Sequence, residues 1–166
     1  MSDDTELNMK GLEQLLKGFK DLPTVRVGIL GDKSASRRDN IAKTGKKFKG
    51  GDLSVQTNAD IGLKHEFGKD GMPIRSFLRM PLTVGLQAAL EQSKFFDENA
   101  LKKVILAGNL NEWFAKIGIV AESVIMDAFD SGGFGKWKPS NMKYKHNQQT
   151  LVETQQLRNS ITSEVK

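Results

Sequence analysis

The sequence predicts a helix-dominated α+β domain in which a small antiparallel sheet packs under a helical layer. Three observations carry that expectation. Val25-Arg26-Val27-Gly28-Ile29 alternates strictly, apolar residues recur every three or four positions from Leu110 to Ala128, and a second strand candidate lies at 157–165. With 166 residues, 38% apolar and 27% charged, the chain has material for one real core and is short for two, so a single domain over 1–166 is expected.

Taken in order, residues 3–19 read as an amphipathic helix. Asp3 and Glu6 have capping-box spacing, and Leu12, Leu15, Leu16 and Phe19 share one face before Pro23 ends the connection. Thr24 to Leu30 is a half-buried strand. Residues 31–51 are polar, basic and glycine-bearing with no apolar period, which predicts a long loop, and 53–57 is a candidate for a further short strand. Asn58 is an expected N-cap for a helix over Ala59–Phe67, stopped by Gly68. Met72 to Arg79 reads as an extended connector around Pro73, and Pro81, at a first helical position, opens a helix to about Lys94 through Leu82, Leu86, Ala89 and Leu90.

Asp97 can cap a short helix that buries Leu101, Val104 and Ile105 and ends at Gly108. Asn109 and Glu112 again have capping-box spacing, and Leu110, Phe114, Ile117, Ala121, Val124 and Ala128 form the best helical stripe of the chain, continuing to about Phe129. Ser131-Gly132-Gly133-Phe134-Gly135 breaks it. Residues 149–156 give no clear pattern. Leu157, Ile161 and Val165 then mark a closing strand over 157–165 that can pair with 24–30.

The net charge of +5 is unevenly spread. Between 26 and 49 stand Arg26, Lys33, Arg37, Arg38, Lys43, Lys46, Lys47 and Lys49 against Asp32 and Asp39, while Lys136, Lys138, Lys143, Lys145 and His146 are accompanied by no acid. Such runs suit a polyanion, because phosphate neutralisation releases counterions, and they equally suit loops that keep the chain in solution. The absence of cysteine excludes disulfides and thiolate metal sites and fits a reducing cytoplasm. An acidic start, Met1-Ser2-Asp3-Asp4, argues against a secretory signal, and no stretch has the apolar length to cross a bilayer.

Searching for chemistry yields little. Gly28-Ile29-Leu30-Gly31-Asp32-Lys33-Ser34 imitates a phosphate loop, but the glycine spacing is short and Asp32 would repel an anion. His65-Glu66 begins a zinc-protease pattern, yet Lys69 stands where the second histidine is needed, and His146 has no ligand partner nearby. Glu91, Asp97, Glu98 and Glu122 read as helix surface or cap acids rather than a catalytic pair, and Ser160 lacks a nucleophile elbow. Phe134, Trp137 and Tyr144 among lysines are a weak signal for base stacking, and Trp113 and Phe114 suit a core or an interface. The expectation is a protein that is not an enzyme, with no catalytic, cofactor-binding or metal-binding residue.

Two regions resemble a known family. Asn58-Ala59-Asp60-Ile61-Gly62-Leu63-Lys64-His65-Glu66-Phe67-Gly68, then Met72-Pro73-Ile74-Arg75-Ser76-Phe77-Leu78-Arg79, is similar to the H-E-F-G and I-P-x-R-x-F-L-R signature of the tail-completion and virion-morphogenesis proteins of long-tailed bacteriophages. Further on, Ile117-Gly118, Phe129, Gly132-Gly133-Phe134-Gly135, Trp137-Lys138-Pro139, Leu151-Val152-Glu153-Thr154 and Gln156-Leu157-Arg158-Asn159-Ser160-Ile161 follow the C-terminal half of that family in order. Gln155 departs from it, standing where the family usually has a glycine at a tight turn of positive φ.

The resemblance implies a structural virion protein of the phage neck that completes the tail and joins it to the head connector, made in the host cytoplasm and finally part of the virion. It implies homo-oligomeric rings, often of six subunits, around the DNA channel, with the head connector and the tail terminator or tube proteins as partners and no membrane. On that reading His65, Glu66, Phe67, Gly68, Pro73, Arg75, Phe77, Leu78, Arg79, Trp137, Leu157 and Ile161 are structural-motif or interface residues. Phe77 and Leu78 plug the core, while Arg75 and Arg79 are free to bind carboxylates. The basic loops, through Lys33, Arg37, Arg38, Lys43, Lys46, Lys47, Lys49, Lys136, Lys138, Lys143 and Lys145, face phage DNA through sequence-blind phosphate contacts or grip an adjoining ring. The rival expectation is a small basic nucleic-acid-binding module without a virion role, which predicts tight, salt-dependent DNA binding by the monomer. An enzyme would need a convergent titratable pocket.

Overall fold

The computed structural model describes residues 22–36, 56–69, 71–95, 97–107, 109–133, 137, 151 and 155–166. The expected helix at 3–19, most of the basic loop at 37–51, the strand candidate at 53–55, Gly108 and the second basic run at 136 and 138–146 lie outside these residues. Element order is β1 (Val25–Ile29), α1 (Gly31–Ala35), α2 (Asn58–Phe67), α3 (Arg79–Gln92), α4 (Glu98–Ala107), α5 (Leu110–Ser131), α6 (Gln156–Asn159) and β2 (Ile161–Val165). The architecture is therefore α+β and helix-dominated, with one two-stranded antiparallel sheet among the described residues.

The strands pair as the sequence predicts, from Val25↔Val165 to Ile29↔Ile161. Thr24 and Lys166 extend the ladder by exchanging both backbone hydrogen bonds, at 2.7 and 2.9 Å. Val25, Val27 and Ile29, with Ser163 and Ile161 opposite, form the face turned to α5. Gly118 lets that face approach closely, since a Cβ there would lie 2.6 Å from Ser163 Oγ and 2.8 Å from its Cβ. Two strands alone are marginal in water, so the sheet depends on α5, against which α3 also packs. Phe77, Ile125 and Phe129 are fully buried and, with Ile61, Leu157 and Ile161, make the core. Each fully buried large side chain contributes about 1.5–3 kcal/mol.

Five local expectations are corrected. Residues 31–35 form a helical turn rather than the start of a loop, closed by Ser34 Oγ donating to the Gly31 carbonyl and by Ser36 N–H donating to that of Asp32. So short a turn has no apolar period to betray it. The N-cap of α2 is Thr57, whose hydroxyl and backbone complete a capping box with Asp60, so Asn58 is the first helical residue and its amide donates instead to the Lys33 carbonyl, at 2.9 Å. Helix α3 starts at Arg79, two residues before Pro81, which sits within the first turn where no N–H is required. Asn109 precedes α5 without a side-chain capping bond. Residues 156–159 are a helical turn, α6, so β2 begins at Ile161 rather than 157.

Other expectations stand. Asp97 Oδ1 accepts from the Asn99 and Ala100 amides at the start of α4. Gly68 and Gly132 end α2 and α5 in the left-handed conformation, at φ +69° and +82°. At Gln155, where a side chain disfavours it, the backbone nevertheless takes a positive φ of +59°.

Candidate functional site

The chemistry-bearing residues of the two signature segments converge on the start of α3. Buried positions Asn58, Ile61, Gly62 and Glu66 define the inner face of α2, which places Glu66 on its last turn, pointing inward and only 5% exposed. Gly62 permits the approach of β1, since a Cβ there would lie 2.5 Å from Ile29 Cδ1. After Gly68 the chain returns alongside α2, fixed by the Arg75 N–H donating to the His65 carbonyl at 2.8 Å.

Helix α3 carries Leu78 at its N-cap and so has no capping side chain of its own. Glu66 supplies the acceptors. Its Oε2 takes the amide hydrogens of Phe77 and Leu78, at 2.9 and 3.0 Å, and its Oε1 takes those of Arg79 N–H and the Ser76 hydroxyl, at 3.1 and 2.5 Å. Ser76 Oγ in turn accepts from the Met80 N–H at 3.0 Å. Pro81 has no N–H, and with the Leu82 N–H donating to the Leu78 carbonyl at 3.2 Å the helical ladder begins. Every donor orphaned at this helix start is thus accounted for. The carboxylate charge also opposes the positive end of the α3 dipole, and Arg79 Nε lies 3.9 Å from Oε1.

With two donors on each oxygen, Glu66 is occupied as an acceptor and offers no lone pair for proton transfer to a substrate. Arg75 is 4% exposed, and one guanidinium nitrogen, Nη1, stands 3.4 Å from His65 Nδ1, which accepts when the imidazole proton sits on Nε2. Burial pushes its pKa below the ordinary arginine value, and the group stays charged. The expectation that Arg75 is free for a neighbouring molecule is therefore corrected. Arg79, by contrast, is exposed, with its guanidinium carbon 5.6 Å above the centre of the exposed Phe67 ring.

The remaining signature residues are structural too. Phe77 fills the core 5.4 Å from Phe129, and Leu78 packs against the same cluster. The Trp137 ring meets Phe129 edge-on at 5.7 Å, and the Trp137 backbone N–H donates to the Gly132 carbonyl at 2.8 Å. Its ring occupies the space a side chain at Gly133 would need, whereas Gly132 faces open space and is called for by its φ of +82°. Leu157 and Ile161 are core residues, and Pro73 lies half-buried in the connector. Of the basic candidates, Lys33 is exposed on α1; Arg37, Arg38, Lys43, Lys46, Lys47, Lys49, Lys136, Lys138, Lys143 and Lys145 lie outside the described residues.

Sequence reasoning placed Glu66 in the motif but missed its task. One signal was available: a helix opening Phe-Leu-Arg-Met-Pro, with no Asp, Asn or Thr at its start, leaves amide donors that some distant acceptor must take. Among the described residues no group of three or more His, Asp or Glu side chains is arranged to hold a metal, and no helix is long and apolar enough to cross a membrane. No family model, curated protein or solved structure matches the chain.

Proposed function

We propose that the protein is a structural subunit of the neck of a long-tailed bacteriophage, completing the tail and joining it to the head connector as one member of a ring around the DNA channel. The observation that carries this reading is the joining of the two signature segments into one unit. Glu66 of the H-E-F-G segment caps the helix opened by the Ser-Phe-Leu-Arg segment, so residues 10 to 13 positions apart act together. A motif whose polar atoms are used on each other serves a scaffold, as an assembly protein requires, and leaves recognition to exposed neighbours such as Arg79 and Lys33.

The test is molar mass by light scattering, for the protein alone and mixed with connector and tail-terminator proteins from the same genome. A discrete high-mass complex is expected. A chain that stays monomeric with each of those proteins yet binds duplex DNA with a steep salt dependence would overturn the neck reading in favour of a nucleic-acid-binding module.

A further inference from the structure

The two-stranded sheet leaves backbone groups unused. Thr24 and Lys166 exchange both backbone hydrogen bonds, so in an antiparallel ladder Arg26 with Glu164 and Gly28 with Thr162 do the same. The N–H and C=O groups of Ile161, Ser163 and Val165 therefore point away from β1, and among the described residues no backbone group meets them. Such an edge is a template for another strand. The opposite edge, that of β1, has α2 and the start of α3 beside it, which approach Ile29 at Gly62 and Gly28 at Leu78.

An apolar side chain stands above the open edge. Helix α5 runs in the direction of β1, because Gly118 lies over Val25 and Ser163 while Ile125 and Phe129 lie further along, in the core with Ile29 and Ile161. Successive residues of a right-handed helix turn by about 100°. With Gly118 facing the sheet, the handedness of helix and strands sends Ala121, Val124 and Ala128 to the β1 side, where they are buried. The same handedness sends Ile119 to the β2 side, and it is 63% exposed.

We propose that two copies of the chain join through these edges, β2 pairing antiparallel with β2 across a two-fold axis at Ser163. Ser163 then faces its own copy, Ile161 pairs with the partner's Val165, and every outward group of the strand is used. Glu164 stands opposite the partner's Thr162, whose hydroxyl can donate to it. Moving the axis to Glu164 would set that carboxylate against its own copy, and moving it to Thr162 would leave Val165 opposite the α6 turn. The two copies of α5 stand two strand spacings apart, about 10 Å, which is the separation of packed helices. Gly118 lies over Ser163, so the axis passes beside Ile119 and brings the two Ile119 side chains together. The occupant is a second copy because the edge, its register and the exposed isoleucine are each complementary to themselves. This contact stands apart from the neck assignment, since a two-fold contact closes a dimer and not a ring.

In sedimentation equilibrium the full chain should be a dimer that dissociates on dilution within the range from about 1 mM to about 1 μM. Ile119→Asp puts a charge on the axis. Val165→Pro removes an outward N–H and leaves the β1 ladder intact, because Val165 makes no bond in it. Each should weaken the dimer by about tenfold or more with unchanged far-ultraviolet circular dichroism, which checks that the variant is folded. The chain has no cysteine, so Ile119→Cys carries one thiol, and copper–phenanthroline oxidation should link it to its own copy as a disulfide. A thiol at Lys103→Cys, exposed on α4, should stay unlinked. A chain that is monomeric throughout the range would overturn the proposal. So would a dimer that either folded variant leaves at its original strength, and so would a dimer in which Ile119→Cys links no faster than Lys103→Cys.

Discussion

Replacing Glu66 is the sharpest test of the cap at α3. In Glu66→Ala the amides of Phe77, Leu78 and Arg79 and the Ser76 hydroxyl lose their acceptor together. Phe77 is fully buried and Leu78 partly so, and water reaches such donors poorly. A buried donor left unmet costs about 1–3 kcal/mol, and a lost helix cap typically about 1 kcal/mol. Allowing for hydration of the Arg79 end, the total expected is about 3–5 kcal/mol, a large part of the 5–15 kcal/mol that folds a typical domain.

Glu66→Gln separates shape from charge. Whichever way the amide turns, its NH2 group faces donors: Phe77 and Leu78 in one orientation, Arg79 and Ser76 in the other. The second orientation is the cheaper, because the Ser76 hydroxyl can turn to accept, leaving one backbone amide unmet and the dipole uncompensated. That predicts a loss of about 1.5–3 kcal/mol. Urea melts followed by tryptophan fluorescence and circular dichroism measure both, with Glu122→Gln as a control expected within about 0.5 kcal/mol of the parent. Hydrogen exchange should quicken first at Phe77, Leu78 and Arg79. A Glu66→Ala protein as stable as the control would refute the reasoning.

Gln155→Gly should stabilise the protein by about 0.5–1 kcal/mol, because glutamine at φ +59° is strained where glycine is not; a melting temperature at or below that of the parent would contradict it. Gly118→Ala should destabilise by about 1–3 kcal/mol despite alanine's higher helix propensity, since the new Cβ meets the Cβ of Ser163; chemical denaturation decides the sign. Asp60 is held below the usual carboxylate range first by the Thr57 backbone N–H and then by its hydroxyl, so the α2 cap contributes above the unfolded-state pKa and is lost as pH falls through the lower folded value. Carbon-13 titration of the Asp60 carboxyl should show a midpoint below the unfolded-state value, and an elevated midpoint would contradict the capping box.

What could be read from the sequence follows the range of the interactions concerned. Alternation in Val25–Ile29 and the stripe from Leu110 to Ala128 are local patterns, repeated often enough to name their element and buried face. Gly68 and Gly132 were legible as stops because only a residue without a side chain takes that conformation freely. By contrast, the first residue of α3 is set by Glu66, 13 positions upstream, so Pro81 alone placed the start two residues late. The turn at 156–159 hides in the same way. Leu157 and Ile161 are spaced for a strand face or a helical turn alike, and burial of both does not discriminate. Arg75 reads as a surface charge in sequence, and the return of the connector along α2 buries it.

The burial of the signature residues governs how any assembly experiment must be designed. Substitutions at Glu66, Arg75, Phe77, Trp137 or Ile161 strike the α3 cap, the connector, the Phe77–Phe129–Trp137 stack or the sheet, and so act on the amount of folded protein. A loss of 3–5 kcal/mol lowers the folded-to-unfolded ratio by a factor of order hundreds to thousands, enough to abolish a phenotype without touching any interface. Function lost at those positions therefore does not distinguish a lost partner contact from lost folding. Arg79 and Lys33 differ because both are exposed, and Lys33 joins α2 through its backbone carbonyl, which a substitution keeps. Lys33→Ala should leave stability within about 0.5 kcal/mol. Arg79→Ala loses the Phe67 contact and the nearby charge for Glu66, at about 1 kcal/mol. If the protein assembles through this end of the fold, Arg79→Ala weakens the partner complex by more than that stability change can account for. Wild-type complex formation by a folded Arg79→Ala, Lys33→Ala double variant would exclude both side chains from the joint and direct the search to the outer face of α5 around Ile119, which is 63% exposed.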